Sequence, residues 1–238
     1  MTDWNRFFTS IRQCEEDLGS PKLVWYQGIT DNSSHKLVPS LFQHPTGQQR
    51  EADLFAKYKQ IASRVLEDRH GDWEYLFDMQ HYGLPTRLLD WTEVLGNAVF
   101  FALSNKEHKT AAVYVLNPVA LNELSGKQNI PVVSDEKDFE YRRLYWENYP
   151  VRPALPLAVD PPFQNPRIQA QRGKFTLHGN DELPLEILAP DSVRKVPLNR
   201  DGKEGAREFL RIAGIDEFRM LPDIVGMVPF VKGLVGLT

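Results

Sequence analysis

Twelve residues, HYGLPTRLLDWT at positions 81–92, carry an imidazole, two aromatic side chains, two hydroxyls, a guanidinium and a carboxylate among leucines, glycine and proline. A core strand holds fewer polar groups, and a solvated loop holds fewer bulky ones. Buried polar groups need partners, so the stretch is either a packing corner with its own polar network or the wall of a pocket. In a pocket, Arg87 offers a planar five-donor fork suited to a phosphate or carboxylate. His81 and Thr86 offer hydrogen-bonding groups, and Tyr82 and Trp91 offer large ring faces. Each also has a plainer use. His81 can hold helix-end carbonyls, Tyr82 and Trp91 can be core, and Thr92 can cap a helix. Arg87 and Asp90, three residues apart, can pair with each other.

The rest of the composition narrows the chemistry. A net charge of −4 over 238 residues argues against a mainly electrostatic nucleic-acid binder. Cys14 is the only cysteine, so neither an intrachain disulfide nor a CxxC pair can form. Neither common nucleotide fingerprint, GxGxxG after a strand or GxxxxGK[ST], is present, and HExxH and GxSxG are absent too. The six histidines show no paired metal-ligand spacing. Arg142 and Arg143 sit among acidic residues and read as a solvated helix face. The first nineteen residues are polar, with no apolar leader segment, and no apolar run is long enough to span a bilayer. The expectation is a cytoplasmic protein with no membrane contact. The apolar tail GMVPFVKGLVGLT is expected to be buried against the domain, with a role at a homo-oligomer interface left open.

These residues must be held by local structure. A helix is expected over 3–17, capped by Thr2 or Asp3, and KLVWYQ (22–27) reads as a strand. From Gln49 to Arg69, Leu54, Phe55, Tyr58, Ile61, Ala62, Val65 and Leu66 recur at helical spacing. A further helix over 72–81 ends at Gly83. Thr92 then caps a helix through EVLGNAVFFALSN, and the wholly apolar AAVYVL (111–116) reads as a central strand. Residues 125–165 are rich in proline and irregular, apart from a helix in DEKDFEYRRLYWE. GKFTLHG (173–179), EILAP (186–190) and VRKVPL (193–198) read as strands. DGKEGAREFLRIAGI reads as a helix with Phe209, Leu210 and Ala213 inside, and PDIVGMVPFVKGL as a last helix with proline at its first position. Strands and helices do not alternate regularly, which disfavours a doubly wound sheet. The expected fold class is α+β: one domain over 1–238, with a small mixed or split β-sheet flanked by helices.

HYGLPTRLLDWT, followed by the small-residue segment AVFFAL and by AAVYVL, resembles the signature block of the FRG domain family, here 81–103. WYQGITDNSSHKLVPSLF (25–42) resembles the family's opening segment, in which an aromatic-Arg-Gly triplet precedes a loop and a Leu-x-Pro-Ser-Leu stretch. NPRIQAQRGKFTLHG (165–179) resembles its Gln-x-Gly-x-Phe block, and FLRIAGIDEFRMLPDIVGM (209–227) its closing segment. One position departs: Gln27 stands where the family has arginine, so the fixed charge of that position is missing unless Arg87 supplies it. FRG domains are bacterial and phage-associated modules, and the resemblance by itself implies no single activity.

The order of elements is also similar to ADP-ribosyltransferase-like folds, which hold NAD in a split-sheet cleft. That likeness implies an aromatic wall, a donor for ribose or pyrophosphate, and a carboxylate or amide that steadies developing positive charge. Tyr26, Gln27, His81, Tyr82, Thr86 and Trp91 are the expected cofactor-binding residues, and Arg87, Gln171 and Glu182 the expected catalytic ones, with NAD as cofactor and no metal. Gln171 can equally bond only backbone, and Glu182 can be a surface charge. The functional expectation is an NAD-binding transferase acting as a toxin or phage-defence effector on a protein or nucleic-acid acceptor. The alternative is a catalytically silent sensor or adaptor that binds a nucleotide or a protein, including a defence-system partner.

Overall fold

The structure is a computed structural model that describes residues 2–62, 64, 71–104, 110–133, 140–146, 156–162 and 166–237. In chain order, α1 (Asp3–Asp17) leads into β1 (Trp25–Ile29) and a 3-10 turn at Ser40–Gln43. α2 (Gly47–Ala62) and α3 (Asp72–His81) precede β2 (Leu88–Thr92), α4 (Leu95–Ala102) and β3 (Ala111–Leu116). Next come α5 (Pro118–Leu124), α6 (Tyr141–Tyr145), β4 (Leu157–Val159), α7 (Pro166–Gln171) and β5 (Gly173–Leu177). α8 (Leu185–Leu188), β6 (Val193–Leu198), α9 (Gly202–Ala213), α10 (Glu217–Met220) and α11 (Ile224–Leu234) complete the chain.

The six strands form one sheet in the order β4-β5-β2-β1-β3-β6, and every neighbouring pair is antiparallel. The fold is thus mixed helix and strand, as expected, with the sheet antiparallel rather than mixed. AAVYVL is interior as its composition requires: β3 is buried along its whole length between β1 and β6. VRKVPL tolerates Pro197 because β6 is an edge strand, where a missing N–H costs no ladder bond.

One pairing differs from the others. β1 matches β3 from Trp25↔Leu116 to Ile29↔Ala112, and β2 matches β5 from Leu88↔Leu177 to Thr92↔Gly173. β1 and β2 share the single register pair Tyr26↔Thr92. The sheet is therefore two three-stranded halves hinged at one rung.

Helices cover both halves. α1, α4 and α9 bury Phe7, Ile11, Ala98, Val99 and Leu210 against β1, β3 and β6. α4 lies so close to β1 that a Cβ on Gly28 would sit 1.8 Å from the Ala98 carbonyl oxygen. That contact explains why glycine follows the aromatic pair in WYQG. α2, α3 and α6 pack Phe55, Trp73, Phe77 and Tyr141 over β2, β4 and β5.

Several local expectations change. α2 ends at Ala62, and Val65 and Leu66 lie outside the described residues. EILAP is helical rather than extended: Pro184 leads into a single turn in which Ala189 N–H donates to Leu185 C=O at 2.8 Å. Thr92 is the last residue of β2, and α4 is capped at Val94 instead; the Thr92 hydroxyl accepts from Val94 N–H at 3.1 Å. The proline-rich segment contains a strand, β4, and within DEKDFEYRRLYWE the described helix is Tyr141–Tyr145, residues 134–139 and Glu147 lying outside the described residues. Ala213 is exposed, and Asp223, not a proline at the first position, caps α11 through Val225 N–H at 2.8 Å. The tail is not buried: Ile224 is 73% and Leu234 70% exposed, and only Gly226 of α11 is buried. Among the described residues no helix is long and apolar enough to cross a membrane.

Candidate functional site

The hinge between the two halves of the sheet is where the polar residues gather. Beyond Tyr26↔Thr92, Gln27–Ile29 of β1 and Leu88–Trp91 of β2 form no register pairs with each other. A cavity of about 330 Å³ is lined by residues from both strands. That volume falls at the small end of ordinary small-molecule sites, roughly 300–1,000 Å³.

Strand alternation decides which residues of the twelve can reach it. On β2, Leu88, Asp90 and Thr92 share one face, and Leu89 and Trp91 share the other. Asp90 pairs with Phe175 of β5, and both line the cavity. Asp90 keeps accessible surface while every other β2 residue is buried, and it lines the cavity. Enclosure by the protein pushes its carboxyl above the ordinary value, against the opposing pull of a bond from Gln80 and the charge of Arg167. Gln80 Nε2 donates to Asp90 Oδ2 at 2.6 Å, and the Thr86 hydroxyl donates to Gln80 Oε1.

Trp91 borders the cavity through its strand, but its indole packs with Trp25, Leu89 and Tyr114 and donates to Thr176 Oγ1 at 3.1 Å. The aromatic residues that line the cavity besides Tyr26 and Trp91 are Phe77, Phe101 and Phe175, of which Phe77 and Phe175 pack on each other in the core. Tyr82 does not line it and is 61% exposed. Tyr26 does line it, its hydroxyl tied to Glu15 of α1 at 2.5 Å. Gln27 lines it as well, and its enclosed Oε1 has no hydrogen-bond partner among the described residues.

Arg87 is turned away. The expected Arg87–Asp90 pair is not formed: Arg87 sits at the bend before β2, and its guanidinium is taken by other partners. Arg87 is 3% exposed and donates from Nε to Glu51 Oε1 and Oε2 at 2.9 and 2.8 Å. It also donates to Gly179 C=O and Asn180 Oδ1, and its guanidinium lies 4.4 Å over the Tyr145 ring. Tyr141 donates to the same Glu51 carboxylate. This clasp joins β2, α2, α6 and the loop after β5. The cation that does line the cavity is Arg167 of α7, which donates to His81 C=O at 3.4 Å.

His81 ends α3 at the cavity wall, with Nε2 3.9 Å from Asp223 Oδ2. Burial and the Arg167 charge lower its pKa, so the ring is neutral near pH 7. Gln171 also lines the cavity; its side-chain amide donates to Met220 C=O, and its own carbonyl accepts from Thr92 and Asn97. Glu182 lies outside the cavity and accepts from Gln48 Nε2 at 2.8 Å. Of the nine expected residues, Tyr26, Gln27, His81, Trp91 and Gln171 line the cavity, Trp91 with its indole on the other face; Tyr82, Thr86, Arg87 and Glu182 do not. No group of three His, Cys, Asp or Glu side chains is placed to hold a metal ion among the described residues.

Residues 22–111 match the FRG domain. An FRG-domain match is thus shown for that stretch of the chain. No curated protein and no solved structure matches the chain. The FRG segment runs from the approach to β1 through α4 to the first residue of β3, so it holds both open strand edges, Gln80, His81 and Asp90. Arg167, Gln171 and Phe175 close the cavity from outside that segment. Two of the four blocks that resemble the family, 25–42 and the stretch opening at His81, lie within the match; 165–179 and 209–227 lie beyond it.

Asp90, Gln80 and Arg167 were missed as site residues. Asp90 did carry a signal: it is the single charge in LLDWT, and a lone acid flanked by large apolar residues must find either a partner or a ligand. Arg167 carried none, because nothing in NPRIQAQ places α7 beside α3.

Proposed function

We propose that the FRG domain cleft binds NAD and that the protein is an ADP-ribosyltransferase-like enzyme, acting as a toxin or phage-defence effector on a protein or nucleic-acid acceptor. The observation that carries this reading is the cavity at the single-rung hinge of the sheet, the place a split-sheet nucleotide cleft occupies. The residues present suit such a ligand. Gln27 Oε1 is an enclosed acceptor without a partner among the described residues, and Asp90 turns accessible surface into the same space. Phe77, Phe101 and Phe175 give apolar lining, and Arg167 gives a cation for phosphate.

NAD, when bound, supplies a glycosidic bond whose electron pair leaves with nicotinamide. Around it, the neutral His81 could hold hydroxyls, and the apolar lining from Phe77, Phe101 and Phe175 would favour the flat ring. Gln27 favours a second reading, a silent sensor or adaptor that binds a nucleotide, because an amide brings no fixed charge to the position where the family has arginine.

Purified protein incubated with labelled NAD and lysate distinguishes the two. Label transfer or nicotinamide release supports the transferase. Calorimetric NAD binding without either product supports the sensor, and no binding removes both nucleotide readings.

A further inference from the structure

We infer that Asp90 is the ligand-facing carboxylate of the cleft, and that Gln80, oriented by Thr86, positions it. The role in the reaction rests on the NAD reading; the positioning does not.

The hydrogen bonds run one way. Leu88 N–H donates to Thr86 Oγ1 at 3.1 Å, which occupies a lone pair of the hydroxyl with a backbone amide that cannot accept. The Thr86 proton goes to Gln80 Oε1. The amide oxygen of Gln80 is thereby committed as an acceptor, and its NH₂ must face Asp90, which it does at 2.6 Å. Asp90 Oδ2 is held, while Oδ1 has no hydrogen-bond partner among the described residues. A carboxylate with one oxygen anchored and the other open to a cavity is a preorganised acceptor. Thr86, buried and not part of the cavity's lining, acts only through Gln80.

The groups around Asp90 come from four elements: Gln80 and His81 of α3, Arg167 of α7, Phe175 of β5, and Asp223, the cap of α11, which stands behind His81 and Arg167. Arg167 and Gln80 favour the ionised form, and enclosure opposes it. With NAD in the cleft, Asp90 would be the carboxylate available to steady positive charge on the ribose as the C–N bond breaks and its pair departs with nicotinamide. Water, or a hydroxyl of the acceptor, then adds to that carbon, and the proton it loses passes to the Asp90 carboxylate and on to solvent.

Two measurements test this. In the ligand-free protein, ¹³C NMR of labelled aspartate should show Asp90 titrating above the ordinary carboxylate value, about 3.9. Thr86→Val should move that midpoint further up, because Gln80 is no longer obliged to donate. With NAD, Asp90→Asn should lower nicotinamide release about 100-fold or more, with binding by calorimetry changed less than about tenfold. Thr86→Val should shift the acid limb of the pH–rate profile upward with the NMR midpoint, which a merely structural role would not do. A midpoint that Thr86→Val leaves in place overturns the positioning. NAD turnover by Asp90→Asn at the wild-type rate overturns the carboxylate's role. If NAD does not bind, the NAD reading falls, and the NMR midpoints still decide the positioning.

Discussion

Arg87, at the bend that leads into β2, and Asp90, three residues on within the strand, serve separate surroundings. Arg87 closes a buried clasp with Glu51, and Asp90 opens onto the cavity. The most strongly charged side chain of HYGLPTRLLDWT is thus structural, and the ligand-facing role belongs to its acid.

Arg87→Ala should unfold the protein more easily. It leaves Glu51 buried without its guanidinium, a loss of about 3–5 kcal/mol for a broken buried pair. Urea melts followed by circular dichroism should show a lower midpoint in the ligand-free protein. An unchanged midpoint with lost nucleotide binding would instead place Arg87 at the ligand.

Arg167→Ala should do the reverse. The side chain lines the cavity from a short helix, so nucleotide affinity should fall while the melting temperature changes little. Calorimetry with NAD and with ADP-ribose measures the first effect, and thermal melts measure the second.

Gly28→Ala should be poorly tolerated. The added Cβ would meet the Ala98 carbonyl oxygen at 1.8 Å and force α4 off the sheet. The expected cost is about 1–3 kcal/mol, as for other overpacked cores, read as a lower denaturation midpoint.

Stability should fall in acid through His178. The ring is fully buried, and burial with the nearby Arg87 charge lowers its pKa to about 3. Between about 6.5, its unfolded value, and about 3, the unfolded chain binds the extra proton, so stability is lost as pH falls through that window. Thermal melts from pH 7 to 4 should show the decline, and His178→Gln should flatten it.

Asp90 has the opposite linkage. Its raised pKa means that the folded state holds the proton longer, so stability declines as pH rises from the ordinary carboxylate range through the raised value. Asp90→Asn should therefore melt higher than the wild type at neutral pH, even as it loses turnover.

The sequence by itself determined the mixed α and β character and most of the elements, because these follow from local periodicity and caps. AAVYVL had to be an interior strand, and α1 had to be capped by Thr2 or Asp3, of which the structure uses Thr2 through Asn5 N–H. It also marked HYGLPTRLLDWT as a place where polar groups need partners. EILAP misled because a short apolar run next to proline fits a strand and a helical turn equally well. The C-terminal helix misled because apolar composition does not say whether a covering surface exists.

Tertiary structure alone decided which polar residues meet. Glu51 reaches Arg87 from 36 positions away, and Arg167 reaches the cavity from 77 positions beyond Asp90. Such pairings depend on how α2 and α7 dock, which no local pattern encodes. Arg87, at the bend before β2, is taken by Glu51. The period of two within β2 puts Asp90 on the face that meets the cavity, so the cation and the acid are assigned to different tasks.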